Sequence, residues 1–519
     1  MEKPALYLLA VIIAISFFFR FYNFQKLQYW SSDEEIASSV VRRMIVEKKP
    51  TLVSPNLAVG SLGSFFHIAS IPIFLLAGFD PVKILLLSGL LGLATTLIIF
   101  FIGKEIGNLK IGLVSSFLYA SSFAGGLFDR RWWPLSLNLF LTSFAILCLI
   151  QIIYKKKYFY MLPLSAVVGL AAHADPTIGV IGVAAIISFI FFKVSVFRKE
   201  LLFAVLILLV FLAPVLVFEL RHPGKISGPL LNTTNKIINE EKSKTNKAIL
   251  TSNPLISTSR LFFPKAADFA ERHFCYCKLP KDLVLFYPFS GFLIIGLISL
   301  PLLKLRSKNK KKESEKILIK ICYIFLFSFF LGGLSFYMLY GQSILDHYYS
   351  IIFPAIFVLS AFTIAEILKR DSLVYLTLFI IFSINFYSLV NSSFKYPLYQ
   401  KYQVVKDISR NLGSRDFSFY TVGDISLHGG GLTALFVLNN HHPKKSYIYP
   451  FYDWMYQAFS LYSTKPTTTD QERIVLIGSA ENFPQVSEDV IFTTESKSLK
   501  GQILDNSKLT FDEKEVNWR

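Results

Sequence analysis

The sequence predicts a polytopic α-helical membrane protein, a bundle of about 11 spanning helices with a small external α/β domain at its C-terminus. Three observations predict it. Of 519 residues, 53% are hydrophobic and only 17% charged, where a soluble chain carries about 25% charged residues. Mean hydropathy is +0.49. Several stretches of roughly 17 to 23 residues carry almost no charge, enough to cross a hydrocarbon core about 30 Å thick. The short loops between those stretches are rich in lysine and arginine on alternate sides. This composition excludes a disordered chain, a collagen-like fibre and a small disulfide scaffold. Of only 4 cysteines, Cys148 and Cys322 sit in apolar runs and Cys275 and Cys277 in a polar loop, so disulfide stapling is no theme of the design.

The first apolar run, 5–22, is long enough to span, and no small-x-small cleavage site follows Arg20. It reads as a retained helix starting in the cytoplasm. Further spans are predicted near 82–102, 111–127, 134–153, 158–174, 176–192, 201–219, 283–303, 317–339, 349–367 and 372–389. With those spans, 18 basic residues against 7 acidic ones fall on the cytoplasmic side, including the lysine-rich stretch 304–316, as the positive-inside rule requires. Counting the apolar segment 63–79 as a span would put the lysine loops outside. It is therefore expected to be re-entrant or interfacial on the external face.

The net charge of +18 would suggest nucleic acid in a soluble protein, but residues 391–519 carry 14 basic and 14 acidic residues and are neutral. The excess belongs to the membrane part, and no nucleic-acid partner is expected. The partner implied is the bilayer. The Lys- and Ile-rich composition with few Met suits a prokaryotic plasma (inner) membrane, with the N-terminus cytoplasmic and the C-terminal domain external or periplasmic.

The chain thus divides into a transmembrane region, 1–390, with long external loops at 23–62 and 220–282, and a soluble domain at 391–519. Long external loops on a compact bundle are where function concentrates. The domain mixes strand-like runs (FSFYTV, ALFVL, KSYIYP, RIVLIG) with a helix near 398–411 and a glycine turn at 429–431.

Candidate chemistry lies at the external helix ends. The loop YWSSDEEIASSVVRRMI carries Asp33, Glu34 and Glu35. Ser32-x-x-Glu35 reads equally as a capping box opening a helix, since acids favour helix N-termini; adjacent helical residues point about 100° apart, so one acid can cap while another faces a cavity. Arg130 and Arg131 precede Trp132 and Trp133, either an aromatic belt with snorkelling arginines or a cationic site. His173 and Asp175 interrupt a long apolar run; a turn explains Asp175, whereas an ionisable His173 at membrane depth is a functional candidate. Arg221 and His222 follow the seventh span, and Asp346, His347 and Tyr348 precede the tenth. Carboxylates able to take a proton and cations able to hold a phosphate are thereby expected on one face. His273-x-Cys275-x-Cys277 has metal-like residue types at no standard zinc spacing, and no metal is expected. Asn232-Thr233-Thr234 is a formal glycosylation sequon.

SSDEEIASSVVRRM, FDRRWWPLSLNLF, GLAAHADPTIGV, PVLVFELRHPGK and DHYYSIIFPAIF, in that order over roughly 1–390, resemble the GT-C glycosyltransferases, especially the branch of protein O-mannosyltransferases and lipid A aminoarabinose transferases. The resemblance implies transfer of a sugar from a polyprenyl-phosphate donor to an acceptor hydroxyl (protein, glycolipid or polysaccharide) outside the membrane, with inversion. It implies Asp33 as base, with Glu34 beside it. Arg130, Arg131, His173, Asp175, Arg221, His222, Asp346, His347 and Tyr348 are the expected substrate-binding residues, and no cofactor is required beyond the lipid-linked substrate. The sequence departs from the family in keeping only His67 of the mannosyltransferase His-Pro-Pro motif, in carrying His173 where some members have lysine, and in offering Asn138 where a second acid is usual. A transporter or lipid flippase is the rival class. It accounts for the helix count but not for an acidic first loop or an external α/β domain.

Overall fold

The computed structural model describes residues 3–54, 63–106, 108–171, 173–174, 179–195, 198–228, 258–264, 295–296, 299–305, 313–333, 346–368, 370–422, 425, 431–447, 462–463, 473–484 and 490–505. Within these, α1 (Lys3–Phe21), α2 (Ser32–Val46), α3 (Phe65–Ala77), α4 (Pro81–Ile106), α5 (Leu109–Ala120), α6 (Phe123–Asp129), α7 (Asn138–Ile153), α8 (Met161–Ala171), α9 (Gly179–Phe191) and α10 (Lys199–Arg221) follow one another. Next come α11 (Glu313–Ser328), α12 (Phe353–Phe362), α13 (Asp371–Asn391), α14 (Leu398–Leu412) and α15 (Leu432–Leu438). Among the described residues 6 helices are long and apolar enough to cross a membrane, or 7 with α5 and α6 taken as one span. Helices 65–77, 158–171 and 179–191 are shorter. At 1.5 Å per residue, α3 measures about 20 Å, too short to cross. Most of the span expected at 283–303 lies outside the described residues, as do Asp175, the sequon at 232–234 and the His273–Cys277 cluster.

The chain forms two compact units. One comprises Met1–Tyr22, Ser88–Arg130 and Pro134–Ser392; the other comprises Asn23–Leu87, Arg131–Trp133 and Ser393–Arg519.

In the first unit a buried polar cluster interrupts the apolar packing. The span expected over 111–127 is broken: α5 ends at Ser121, and α6 leaves at 69°. The Ser122 side chain caps α6 by accepting from the Gly125 amide, so the break is built rather than frayed. The bend delivers Asp129 to Arg20. Arg20 Nε and Nη2 reach Asp129 Oδ2 at 2.8 and 2.7 Å, and the Tyr119 hydroxyl donates to the same oxygen at 2.7 Å. Arg20 also donates to the Ser16 and Ala120 carbonyls. A charge this deep persists only when paired and hydrogen-bonded. Gly92 of α4 makes room for it, since a Cβ there would stand 2.3 Å from Arg20 Nε.

The second unit contains a six-stranded sheet in the order β3-β2-β1-β4-β6-β5. Its strands are β1 (Phe417–Val422), β2 (Lys445–Tyr447), β3 (Tyr462–Ser463), β4 (Arg473–Ser479), β5 (Val490–Ser496) and β6 (Leu499–Asp505). β1 to β4 run parallel, and the β5–β6 hairpin adds antiparallel to β4. The central strands β1 and β4 are buried almost throughout, as parallel strands covered on both faces are. FSFYTV, KSY and RIVLIG form strands as expected, but ALFVL lies in helix α15. A five-residue apolar run has no readable period, and its flanks decide: Gly431 opens α15 at φ +99° and Asn439 closes it. Helix α14 covers the sheet with the stripe Leu398, Tyr402, Val405, Ile408 and Leu412.

Candidate active site

The acidic loop belongs to the second unit. Helix α2 starts one residue earlier than the expected capping box requires, with Ser31 as N-cap. The box therefore pairs Ser31 with Glu34, correcting the expected Ser32–Glu35 pair: Glu34 Oε2 accepts from the Ser31 amide at 2.9 Å and from its hydroxyl at 2.8 Å. This reciprocal pairing satisfies donors that the first helical turn leaves open.

The one-residue shift gives the three acids different surroundings. Glu34 is fully buried (0% exposed), and its Oε1 accepts from Arg131 Nε at 2.6 Å. Glu35 is buried too, and its carboxylate accepts from the backbone amides of Gly431 at 2.9 Å and Ala434 at 2.8 Å. Asp33 reaches solvent with a side chain 37% exposed, its Oδ2 standing 3.5 Å from Arg131 Nη2.

Arg131 organises this turn. Its guanidinium lies 3.7 Å from the centroid of the Trp133 ring and 4.6 Å from that of Tyr29, and such stacking suits a planar, weakly hydrated cation. Burial opposes its charge, but Glu34 and then Asp33 outweigh burial and hold the guanidinium above the ordinary arginine value. Trp132 donates to the Ser70 hydroxyl at 3.1 Å and stacks on Phe66. The belt reading of RRWW is thereby corrected: both arginines and both tryptophans are buried, the Trp132 indole on the Ser70 hydroxyl and the Trp133 ring under the Arg131 guanidinium.

The other expected binding residues lie in the first unit. Arg130 donates to the carbonyls of Phe19 and Tyr22, both at 2.8 Å, and so fastens the end of α1. His173 is buried, with Nε2 2.6 Å from the Phe211 carbonyl. Arg221 and His222 are exposed at the end of α10. Asp346, His347 and Tyr348 open a 3-10 helix, Asp346–Ile352, in which the His347 and Tyr348 rings meet edge to face at 4.3 Å. Nearby, Asn138 Nδ2 donates to Ser350 Oγ, which itself donates to the His347 carbonyl. The structure thus brings Asp33, Glu34 and Arg131 together within one unit. Among the described residues no group of three His, Cys, Asp or Glu side chains is placed to hold a metal ion.

One buried residue packed against the acidic turn is not among the candidates that the sequence offers. Lys401 of α14 is 1% exposed and donates from Nζ to the Trp30 carbonyl at 2.8 Å. Burial pulls its ammonium down to about 8, while Glu34 and Glu35 hold it up. The signal was present: Lys401 falls on the apolar stripe of a helix whose sequence is strongly amphipathic, where a lysine needs a partner.

With this geometry in view, the architecture is that of the GT-C membrane glycosyltransferases. ArnT of Cupriavidus metallidurans, with undecaprenyl phosphate bound, superposes with a TM-score of 0.57 at 11% identity, over 95% of this chain and 97% of that one. The apo form gives a TM-score of 0.56 at 10% identity, over 96% and 98%. At such identity the likeness shows the fold. Residues 65–218 match the family of dolichyl-phosphate-mannose-protein mannosyltransferases. No curated protein matches the chain.

Proposed function

We propose that this protein is an integral-membrane glycosyltransferase that moves a sugar from a polyprenyl-phosphate donor to an acceptor hydroxyl on the external face, with inversion at the sugar carbon. The GT-C fold and the family match over 65–218 support the donor class. One observation carries the assignment of the base. Of three consecutive carboxylates, Glu34 and Glu35 are buried in structural hydrogen bonds and Asp33 alone extends into solvent, on a turn held by Arg131.

In the proposed step the acceptor oxygen attacks the anomeric carbon from the face opposite the phosphate. Asp33 takes the hydroxyl proton as the new C–O bond forms and the bond to the phosphate oxygen breaks. The electron pair of that bond leaves with the polyprenyl phosphate. Glu34 serves as the support that keeps Arg131 beside Asp33, and catalysis does not pass through it. A cation facing the departing phosphate would stabilise the charge that develops there. Arg130 and His173 are committed to backbone carbonyls, and Arg221 and His222 are exposed at the end of α10. No metal ion is assigned to the step.

The test is turnover of labelled polyprenyl-phosphate hexoses by purified protein in lipid, for wild type and Asp33→Asn. Loss of at least 100-fold in Asp33→Asn is expected for a general base. Equal turnover in wild type and Asp33→Asn excludes Asp33 as base.

A further inference from the structure

The C-terminal domain has the anatomy of an α/β domain that binds a ligand. In open parallel sheets, ligands sit beyond the carboxyl ends of the strands where the strand order reverses. Here that point is β1/β4: the chain passes from β1 to β2 on one side, while β4 lies on the other. The connection leaving β1 arrives at Gly431 and α15. Their amides are already engaged by a carboxylate of the same chain, Glu35, through the bonds from Gly431 and Ala434.

Other bonds join the same two segments. The indole of Trp30, wholly buried, donates to the Gly431 carbonyl at 2.8 Å. A Cβ at Gly431 would stand 2.4 Å from Trp30 Cδ1, and its backbone holds φ +99°, so this position accepts only glycine without strain. Lys401 bonds the Trp30 carbonyl, and the Phe394 and Leu398 amides donate to the carbonyls of Lys26 and Gln28, each at 3.0 Å. Residues 26–35 are thus held on both sides of the peptide that leads into Asp33.

We propose that the C-terminal α/β domain is a clasp whose ligand is the acidic loop of its own chain, with Glu35 and Lys401 as positioning residues that aim Asp33. The inference rests on the proposed transferase reading for its catalytic consequence, but not for the clasp itself. The chemistry is complementary: Glu35 is gripped by backbone N–H groups, and the Lys401 ammonium stands among Glu34, Glu35 and the Trp30 carbonyl, so the loop's charges are met by the domain. Removing either grip leaves α2 attached by its own helical bonds while the direction of its first turn loosens.

The test uses the full chain in lipid. Hydrogen exchange is measured for wild type, Glu35→Gln and Lys401→Met, with the β4 amides reporting that the domain is still folded. The α2 first turn is expected to exchange at least tenfold faster in both variants, with β4 unchanged. Unchanged exchange in α2 overturns the clasp. Hydrolysis of a labelled polyprenyl-phosphate hexose then reads the consequence: kcat falls at least tenfold and the donor KM stays within twofold. Loosened α2 with unchanged kcat overturns the positioning role, as does an effect confined to the donor KM. Full turnover by Asp33→Asn sinks the base assignment instead, and the exchange result continues to judge the clasp.

Discussion

Asp33, Glu34 and Glu35 are chemically near-identical neighbours, and only their partners set them apart. Glu34 meets Arg131, Glu35 meets two backbone amides and Asp33 meets solvent on one side. Breaking a buried ion pair from one side strands the other charge. Glu34→Ala is therefore expected to destabilise the protein by about 3 kcal/mol, read as a lowered unfolding midpoint in detergent, whereas Asp33→Asn leaves that midpoint nearly unchanged. Lys401 gives a pH signature. Its folded value is about 8 against an ordinary 10.5, so between these two values the unfolded chain binds more protons, and stability rises with pH across that window. Below pH 8 the lysine is charged in both states and the cost of burying it is present in full. The melting temperature of wild type relative to Lys401→Met is expected to climb from pH 8 to 10.5; a flat difference would show that Lys401 is not desolvated as described. The three acids were legible in the sequence as a group. Their division of labour was not, because it turns on a one-residue shift of the helix start and on partners about 100, 370 and 400 residues away in the chain.

Among the elements, the bent pair α5–α6 shows why a membrane helix breaks where it does. A serine pair ends one helix and caps the next, and the turn delivers Asp129 to an arginine that hydropathy alone would leave stranded inside α1. Asp129→Ala is expected to cost about 3 to 5 kcal/mol by uncovering Arg20. Tyr119→Phe, which removes a single hydrogen bond to a carboxylate that keeps its arginine, is expected to cost about 1 to 2 kcal/mol. Detergent unfolding midpoints in that order check the account, and equal losses would contradict it. The long apolar helices were readable because their composition is set by the bilayer. The break at Ser121–Ser122 was not, since FLYASSFAGGLF is apolar enough to pass for one continuous span. The β5–β6 hairpin was missed for a related reason: β5 alternates between half-buried and exposed positions and has little apolar signal.

For the whole molecule, the acidic first loop and the C-terminal domain fall in one compact unit, although about 400 residues separate Glu35 from Gly431. Sequence reading divides the chain at a point along its length. The fold groups it by partner, and no local pattern announces that Trp30 will donate to Gly431. Membrane orientation is a matter of charge bias, and the proposed external side gives a clear expectation. In a chain whose four native cysteines are replaced by serine, Lys497→Cys, in the β5–β6 turn, should label with an impermeant reagent from outside intact cells, and Lys156→Cys should not. The reverse pattern would invert the topology.

The central claim, that Asp33 is the base of a sugar transfer from a lipid phosphate, is tested most directly by single-turnover transfer from a labelled polyprenyl-phosphate hexose in wild type and Asp33→Asn. The wild type is expected to release polyprenyl phosphate and the variant to lose at least about 100-fold, with donor binding and unfolding midpoint preserved. Equal turnover by the two proteins would contradict it.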